Sequence, residues 1–173
     1  MIIIVSVSGI SHDNINMKEK KLVINYIEYD SLDEMPAAER ELMERSMKAA
    51  ATAYAPYSHF HVGAAVQLAD GTVVTGSNQE NIAYPSGLCA ERVALFSASA
   101  QYPSLTVTAL AVVGYHNGQF CEASPCGACR QTMAEYEIRF GNSISIFCYL
   151  NGGRIRKISG VKSLIPFGFE AEL

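Results

Sequence analysis

No stretch of this chain gathers Lys and Arg into a basic cluster, and 17 acids against 13 bases leave a net charge of −4. A groove for duplex or single-stranded nucleic acid needs clustered cations to meet the phosphates, so neither polymer is an expected partner. Long apolar runs are also missing. The opening Met1-Ile2-Ile3-Ile4-Val5-Ser6-Val7 is short, has no basic flank ahead of it and no clear cleavage site. It therefore reads as neither a membrane span nor a signal peptide. An odd number of cysteines, 5, argues against a fully paired disulfide framework, and unpaired thiols make the cytoplasm the expected compartment. Repeats, low-complexity tracts and interdomain linkers are absent from the 173 residues, a length that can bury a core without disulfides. Apolar content of 49% with 17% charged residues is that of a packed globular protein and excludes wholesale disorder. A small, neutral, polar ligand suits this balance.

The hydrophobic pattern places the elements. Residues 21–29 are β-branched and aromatic and predict a strand, and a helix is expected over 37–54 with Leu42, Met43, Met47 and Ala50 on one face. Ala55-Pro56 breaks it. Strands over 61–68 and 72–76 flank Asp70-Gly71, a two-residue hairpin signal. A loop over 77–88 leads into a helix that begins at Cys89 and runs toward Ala100. A buried strand over 106–115 ends at Asn117-Gly118, and a helix follows from Cys126 to about Glu137. Strands over 143–150 and 154–158, joined by Asn151-Gly152, complete the pattern. This order predicts an α/β fold in three layers, α/β/α, around a mixed five-stranded sheet. Residues 1–36 are read as an N-terminal extension, with Met17 as an alternative start, and 37–173 as the main domain.

The chemistry concentrates in Cys89-Ala90-Glu91 and Pro125-Cys126-Gly127-Ala128-Cys129. A structural zinc site is usually closed by four Cys or His ligands, whereas a catalytic one keeps three and leaves a place for water. Cys89, Cys126 and Cys129 offer three thiolates, and Glu91 stands two residues from the first. That is the pattern of metal-activated water with a proton shuttle. Cys126 and Cys129, three apart in the first turn of a helix, can face one metal. Both motifs fall at helix starts, where free N–H groups and the helix dipole favour thiolate. Three thiolates leave a zinc centre with one negative charge, and Arg92 and Arg130 are placed to offset it by donating to ligand sulfurs. Alone, Glu91 reads as an ordinary first-turn glutamate and Arg130 as a surface arginine; the neighbouring cysteines decide otherwise for Glu91. Cys121 and Cys148 lie in no motif and read as small buried hydrophobes.

Together these residues resemble the cytidine deaminase family. The likeness extends over 38–173 through Ala53-Tyr54-Ala55-Pro56-Tyr57-Ser58, Phe60, Val62-Gly63-Ala64-Ala65, Asn78-Gln79-Glu80-Asn81, Tyr84-Pro85, Cys89-Ala90-Glu91-Arg92 and Ser124-Pro125-Cys126-Gly127-Ala128-Cys129-Arg130-Gln131, in the family's order. The resemblance implies one zinc per chain and deamination of cytidine and 2′-deoxycytidine in pyrimidine salvage. It implies Glu91 as the catalytic acid–base, and Asn78 and Glu80 as partners of the ribose 3′-hydroxyl. Phe60 would pack on the pyrimidine, and main-chain groups of Ala90 would meet the base. A homotetramer with shared sites is implied as well, with Tyr84 near a neighbouring subunit. Phe169 would reach that neighbour's pocket, or Phe167 in its place, because the family's usual Phe-Gly-Pro is here Phe169-Glu170-Ala171.

Rival readings explain less. A nucleic-acid-editing deaminase would want a basic surface and more often carries His than Cys before the glutamate. A deaminase of modified aminopyrimidine nucleosides stays open, although Asn78 and Glu80 suit ordinary ones. An inert zinc module needs a fourth ligand, which His59, His61 and His116 are not spaced to supply. A redox reading of Cys126-Gly127-Ala128-Cys129 leaves Cys89-Ala90-Glu91 unexplained.

Overall fold

The structure, a computed structural model, describes residues 18–170, so the Met1–Val7 run and the Met17 start lie outside the described residues. In chain order the elements are β1 (Ile27–Tyr29), α1 (Ala37–Ala50), β2 (His61–Leu68), β3 (Val73–Ser77), α2 (Ala90–Gln101), β4 (Val107–His116), β5 (Gln119–Cys121), α3 (Gly127–Phe140), β6 (Ser145–Tyr149) and β7 (Ile155–Ser159). The sheet runs β1-β7-β6-β4-β2-β3, with β5 paired to β4. Among these strands only β4 and β6 pair parallel; α3 lies within the connection that carries the chain from one to the other.

The sheet has seven strands where five were expected. The five expected are β2, β3, β4, β6 and β7, and the strand read over 21–29 adds β1. Asn117-Gly118, taken as a strand end, is a hairpin turn with both residues at positive φ, 50° and 82°. It folds β5 back on β4, and three residues were too few to show an alternating pattern. The expected strand over 21–29 shrinks to Ile27–Tyr29, because β7 pairs only with those residues. The helix over 37–54 stops at Ala50: the Thr52 hydroxyl donates to the Ala49 carbonyl and contacts the Ser77 hydroxyl, turning the chain before Pro56.

Alternation along β2 and β4 builds two cores. Ala64, Val66, Leu110 and Val112 face α2 and α3, with Ala94, Leu95 and Met133 packed on them. Ala65, Ala109, Ala111 and Val113 face α1, meeting Leu42, Met43 and Met35. Helices thus cover both faces, giving the three layers expected. The α1 face is lined by small side chains so that helix and sheet backbones approach closely. At Gly63 a Cβ would overlap the Ser46 carbonyl and the Ala50 nitrogen. Residues 27–35 belong to the same body: β1 extends the sheet, and Met35 is buried in the α1 core.

Candidate active site

Cys89 and Cys126 are the N-cap residues of α2 and α3, both with extended backbone, and Cys129 sits in the first turn of α3. Two helix starts thereby aim three sulfurs at one point. The Sγ atoms of Cys89 and Cys126 are 3.8 Å apart, those of Cys126 and Cys129 3.5 Å, and all three lie within 4.8 Å of one another. A tetrahedral zinc with bonds of about 2.3 Å spaces its sulfurs by about 3.8 Å, so the donor set and its spacing fit that ion. Among the described residues no other His, Cys, Asp or Glu joins the group.

The electrostatics of the metal-free trio follow from its hydrogen bonds. Cys89 is drawn down to about 5, first by the Cys129 thiol donating to it, then by Arg92. Cys129, buried and donating, is pushed upward. One thiolate is thus already favoured at pH 7, and a metal must displace the remaining protons. Arg92 Nη2 donates to Cys89 Sγ at 3.6 Å, which is the charge-offsetting contact expected of it. Arg130 acts differently from expectation. Its Nε donates to the Pro125 carbonyl at 2.8 Å and Nη1 to the Leu164 carbonyl at 2.9 Å, so it braces the loop ahead of Cys126 instead of a sulfur.

Glu91, in the first turn of α2, is 3% exposed. Burial pushes its carboxyl up to about 7, and the charge of Cys89 adds to the push. A surface helix-start glutamate would stay ionised; this one is poised to hold or release a proton at neutral pH. It opens on a cavity of about 560 Å³ that Phe60, Asn78, Glu80, Tyr84, Cys89, Ala90, Arg92 and Cys126 also line.

Asn78 and Glu80 have structural duties at the rim. The Asn78 side chain accepts from the Val62 N–H at 2.7 Å and donates to the Phe60 carbonyl at 2.9 Å. Glu80 accepts from the N–H groups of Tyr57 and Ser58 and from the Ser58 hydroxyl, which hold its carboxyl below the usual range. Both therefore fix the loop that presents Phe60. One N–H of Asn78 and spare lone pairs of Glu80 remain for a ligand. Phe60 itself passes over Gly114, where a Cβ would come 2.8 Å from its ring. Tyr84 stacks edge-on with Tyr57 and is 76% exposed. Phe167 and Phe169 are more exposed still, and the Gln131 side chain grips the Phe169 backbone at both N–H and carbonyl. Cys148 is buried and its thiol raised to about 11, first by burial; Cys121 is half-buried.

Among the wall residues that escaped the sequence reading are Glu122 and Val112. Glu122 is tied by its N–H to the Asn151 side chain, and Val112 comes from β4. Glu122 lies close enough to Cys126 in sequence to have been suspected, whereas Val112 is one apolar strand residue among several and carried no signal.

The family profile described as "Cytidine and deoxycytidylate deaminase zinc-binding region" matches residues 36–140. This chain belongs to the cytidine deaminase family. It is 40% identical over 136 residues to a cytidine deaminase of Halalkalibacterium halodurans, covering 76% of this chain and 93% of that one. With a cytidine deaminase of Sporosarcina psychrophila it shares 41% over 132 residues, covering 76% and 91%. The crystal structure of a cytidine deaminase from Burkholderia pseudomallei superposes with a TM-score of 0.66 at 39% identity, over 78% of this chain and 100% of that one. The fold and the zinc-binding region are thus those of the cytidine deaminase family, and the three converging cysteines lie inside the matched segment.

Proposed function

We propose that this protein hydrolyses cytidine and 2′-deoxycytidine to uridine and 2′-deoxyuridine, releasing ammonia, as a zinc-dependent enzyme of pyrimidine salvage. The observation that carries this reading is the buried Glu91 carboxyl, neutral-poised beside three converging sulfurs and open to one cavity. A zinc ion held by Cys89, Cys126 and Cys129 supplies the Lewis acidity that makes water a nucleophile near neutral pH. Glu91 takes the proton of the attacking water and passes it to the ring nitrogen, then takes the proton of the new C4 hydroxyl and gives it to the departing amine as the carbonyl forms. One carboxyl can serve in both senses because its affinity for protons is matched to the working pH. Arg92 draws charge from Cys89, Phe60 packs on the pyrimidine, and Ala90 meets its polar edge through the main chain. Asn78 and Glu80 present their remaining donor and acceptor to the ribose.

The charges on the wall favour a nucleoside over a nucleotide. Glu80, Glu91 and Glu122 line the cavity, and its single cation, Arg92, is engaged by Cys89. A 5′-phosphate would meet these acids and, among the described lining residues, one cation that already donates to Cys89. We further take residues 37–173 as the catalytic unit, with 1–36 as its extension, working in the cytoplasm as a homotetramer in which Tyr84 and Phe169 or Phe167 approach a neighbour's site. No helix among the described residues is long and apolar enough to cross a membrane.

Loss of the cytidine absorbance band with ammonia release tests the activity, run beside Glu91→Ala and with deoxycytidylate as competing substrate. Turnover of both nucleosides, absent in the variant, supports the reading. Preference for deoxycytidylate, or inactivity of zinc-loaded protein on either nucleoside, overturns it.

A further inference from the structure

The edge of the sheet at β1 is built differently from the rest of the surface. Leu22, Val23, Ile24, Tyr26 and Ile27 are all exposed, from 45% to 71%, and none belongs to either core. β1 is the terminal strand: β7 pairs with one side of it, and among the described residues nothing pairs with the other. The segment also precedes the stretch matched by the deaminase profile, which starts at residue 36. An open, apolar edge is a template for another strand, and natural proteins usually blunt it with charge or proline. Here the charges are arranged in a way that specifies a partner.

We propose that residues 18–30, β1 together with the segment leading into it, pair antiparallel with the same residues of a second copy of the chain, on a two-fold axis passing through Ile24. An isologous antiparallel pair must set one residue against its own copy. With Ile24 there, Lys18 faces Asp30, Lys20 faces Glu28, and Leu22 faces Tyr26, each twice by symmetry. Opposite charges thus flank an apolar centre on one face, which is the favourable cross-strand arrangement. Glu28 already accepts from Arg154 at 3.0 Å and Arg156 at 3.5 Å on the β7 side. Arg156 also lies 5.0 Å over the Tyr26 ring, fixing that face of the strand. On the opposite face Lys21 meets Ile27, which its aliphatic stem can cover. The adjacent registers keep one opposite-charge pair each, Lys18 against Glu28 about Val23 and Lys20 against Asp30 about Asn25, where Ile24 has two. They also set Glu19 against Ile27 or Leu22 against Glu28.

Directly opposed residues in such a pair have Cα atoms about 4.5–5.5 Å apart, within disulfide range. Full-length zinc-loaded protein carrying Ile24→Cys is oxidised mildly and run on a non-reducing denaturing gel, beside wild type, Val23→Cys and Asn25→Cys. The expected result is a covalent pair from Ile24→Cys, at least tenfold more than from either neighbour or from wild type. Equal or stronger linking through position 23 or 25, or no linking, overturns the proposal. The second measurement is the solution mass of Ile24→Asp, expected at half the wild-type value with zinc content and circular dichroism unchanged. An unchanged mass overturns the proposal and leaves the edge to residues 1–17 or to a different protein.

Discussion

The two faces of the sheet solve opposite problems with the same strands. Toward α1, Gly63, Ala65, Ala109 and Ala111 let backbone approach backbone. Toward α2 and α3, the packing layer ends at two helix starts that carry three thiols and a buried carboxyl. The first face is apolar, small near Gly63 and filled elsewhere by Phe147, Met43 and Ile155. The second keeps an ionisable group out of water at a cost in stability, because its environment raises the proton affinity useful for chemistry. Close packing serves both sides, since Gly76 meets the α2 backbone as Gly63 meets α1. The three thiols and the buried carboxyl lie on one side only, and each side should fail in its own way.

The largest expected effect falls on the metal side. Cys129→Ala is predicted to lose zinc and to reduce turnover to background, read by metal analysis and cytidine absorbance; retained stoichiometric zinc would break the assignment of ligands. Glu91→Gln should lower kcat by about 10²–10⁴ while keeping one zinc per chain. In metal-free protein, Glu91 should also set a pH trend. Its carboxyl binds a proton more tightly folded (about 7) than at its ordinary value of 4.5. The resulting stabilisation is full below about pH 4.5 and lost as pH rises through 7, at most about 3 kcal/mol. Urea unfolding at pH 5 and pH 8 should show this component in wild type and not in Glu91→Gln. Cys89 contributes the opposite slope, and because its charge also raises Glu91 the difference between the two proteins reads the pair together.

On the packing side, Gly63→Ala should destabilise by about 1–3 kcal/mol through overpacking against α1, with zinc content of the folded protein unchanged. Loss of zinc below the unfolding transition would show that the faces are coupled. The smallest effect is reserved for Arg92→Gln, expected to weaken zinc retention by about tenfold to a hundredfold in a chelator competition. An unchanged chelator midpoint would make the 3.6 Å contact with Cys89 incidental.

Local chemistry made much of this legible from residues alone. Spacing of three between Cys126 and Cys129 brings both to one side of a helix turn wherever that helix lies, and strand alternation announced β2, β3, β4, β6 and β7. Short elements were not legible: β5 needs β4 beside it to be a strand at all, and β1 exists only as far as β7 reaches. Arg130 shows the same limit. Its neighbour Cys129 suggested a sulfur partner, yet the Leu164 carbonyl, distant in sequence, captures its guanidinium.

The sequence by itself determined the donor set, the general acid–base candidate and the layered α/β order, because these depend on residue type and on periods within a few positions. Tertiary structure alone decided that Glu91 is buried enough to titrate near 7, and that Asn78 and Glu80 spend hydrogen bonds on the Phe60 loop. Burial and convergence are properties of distant segments brought together, and no local pattern encodes how much water their meeting excludes.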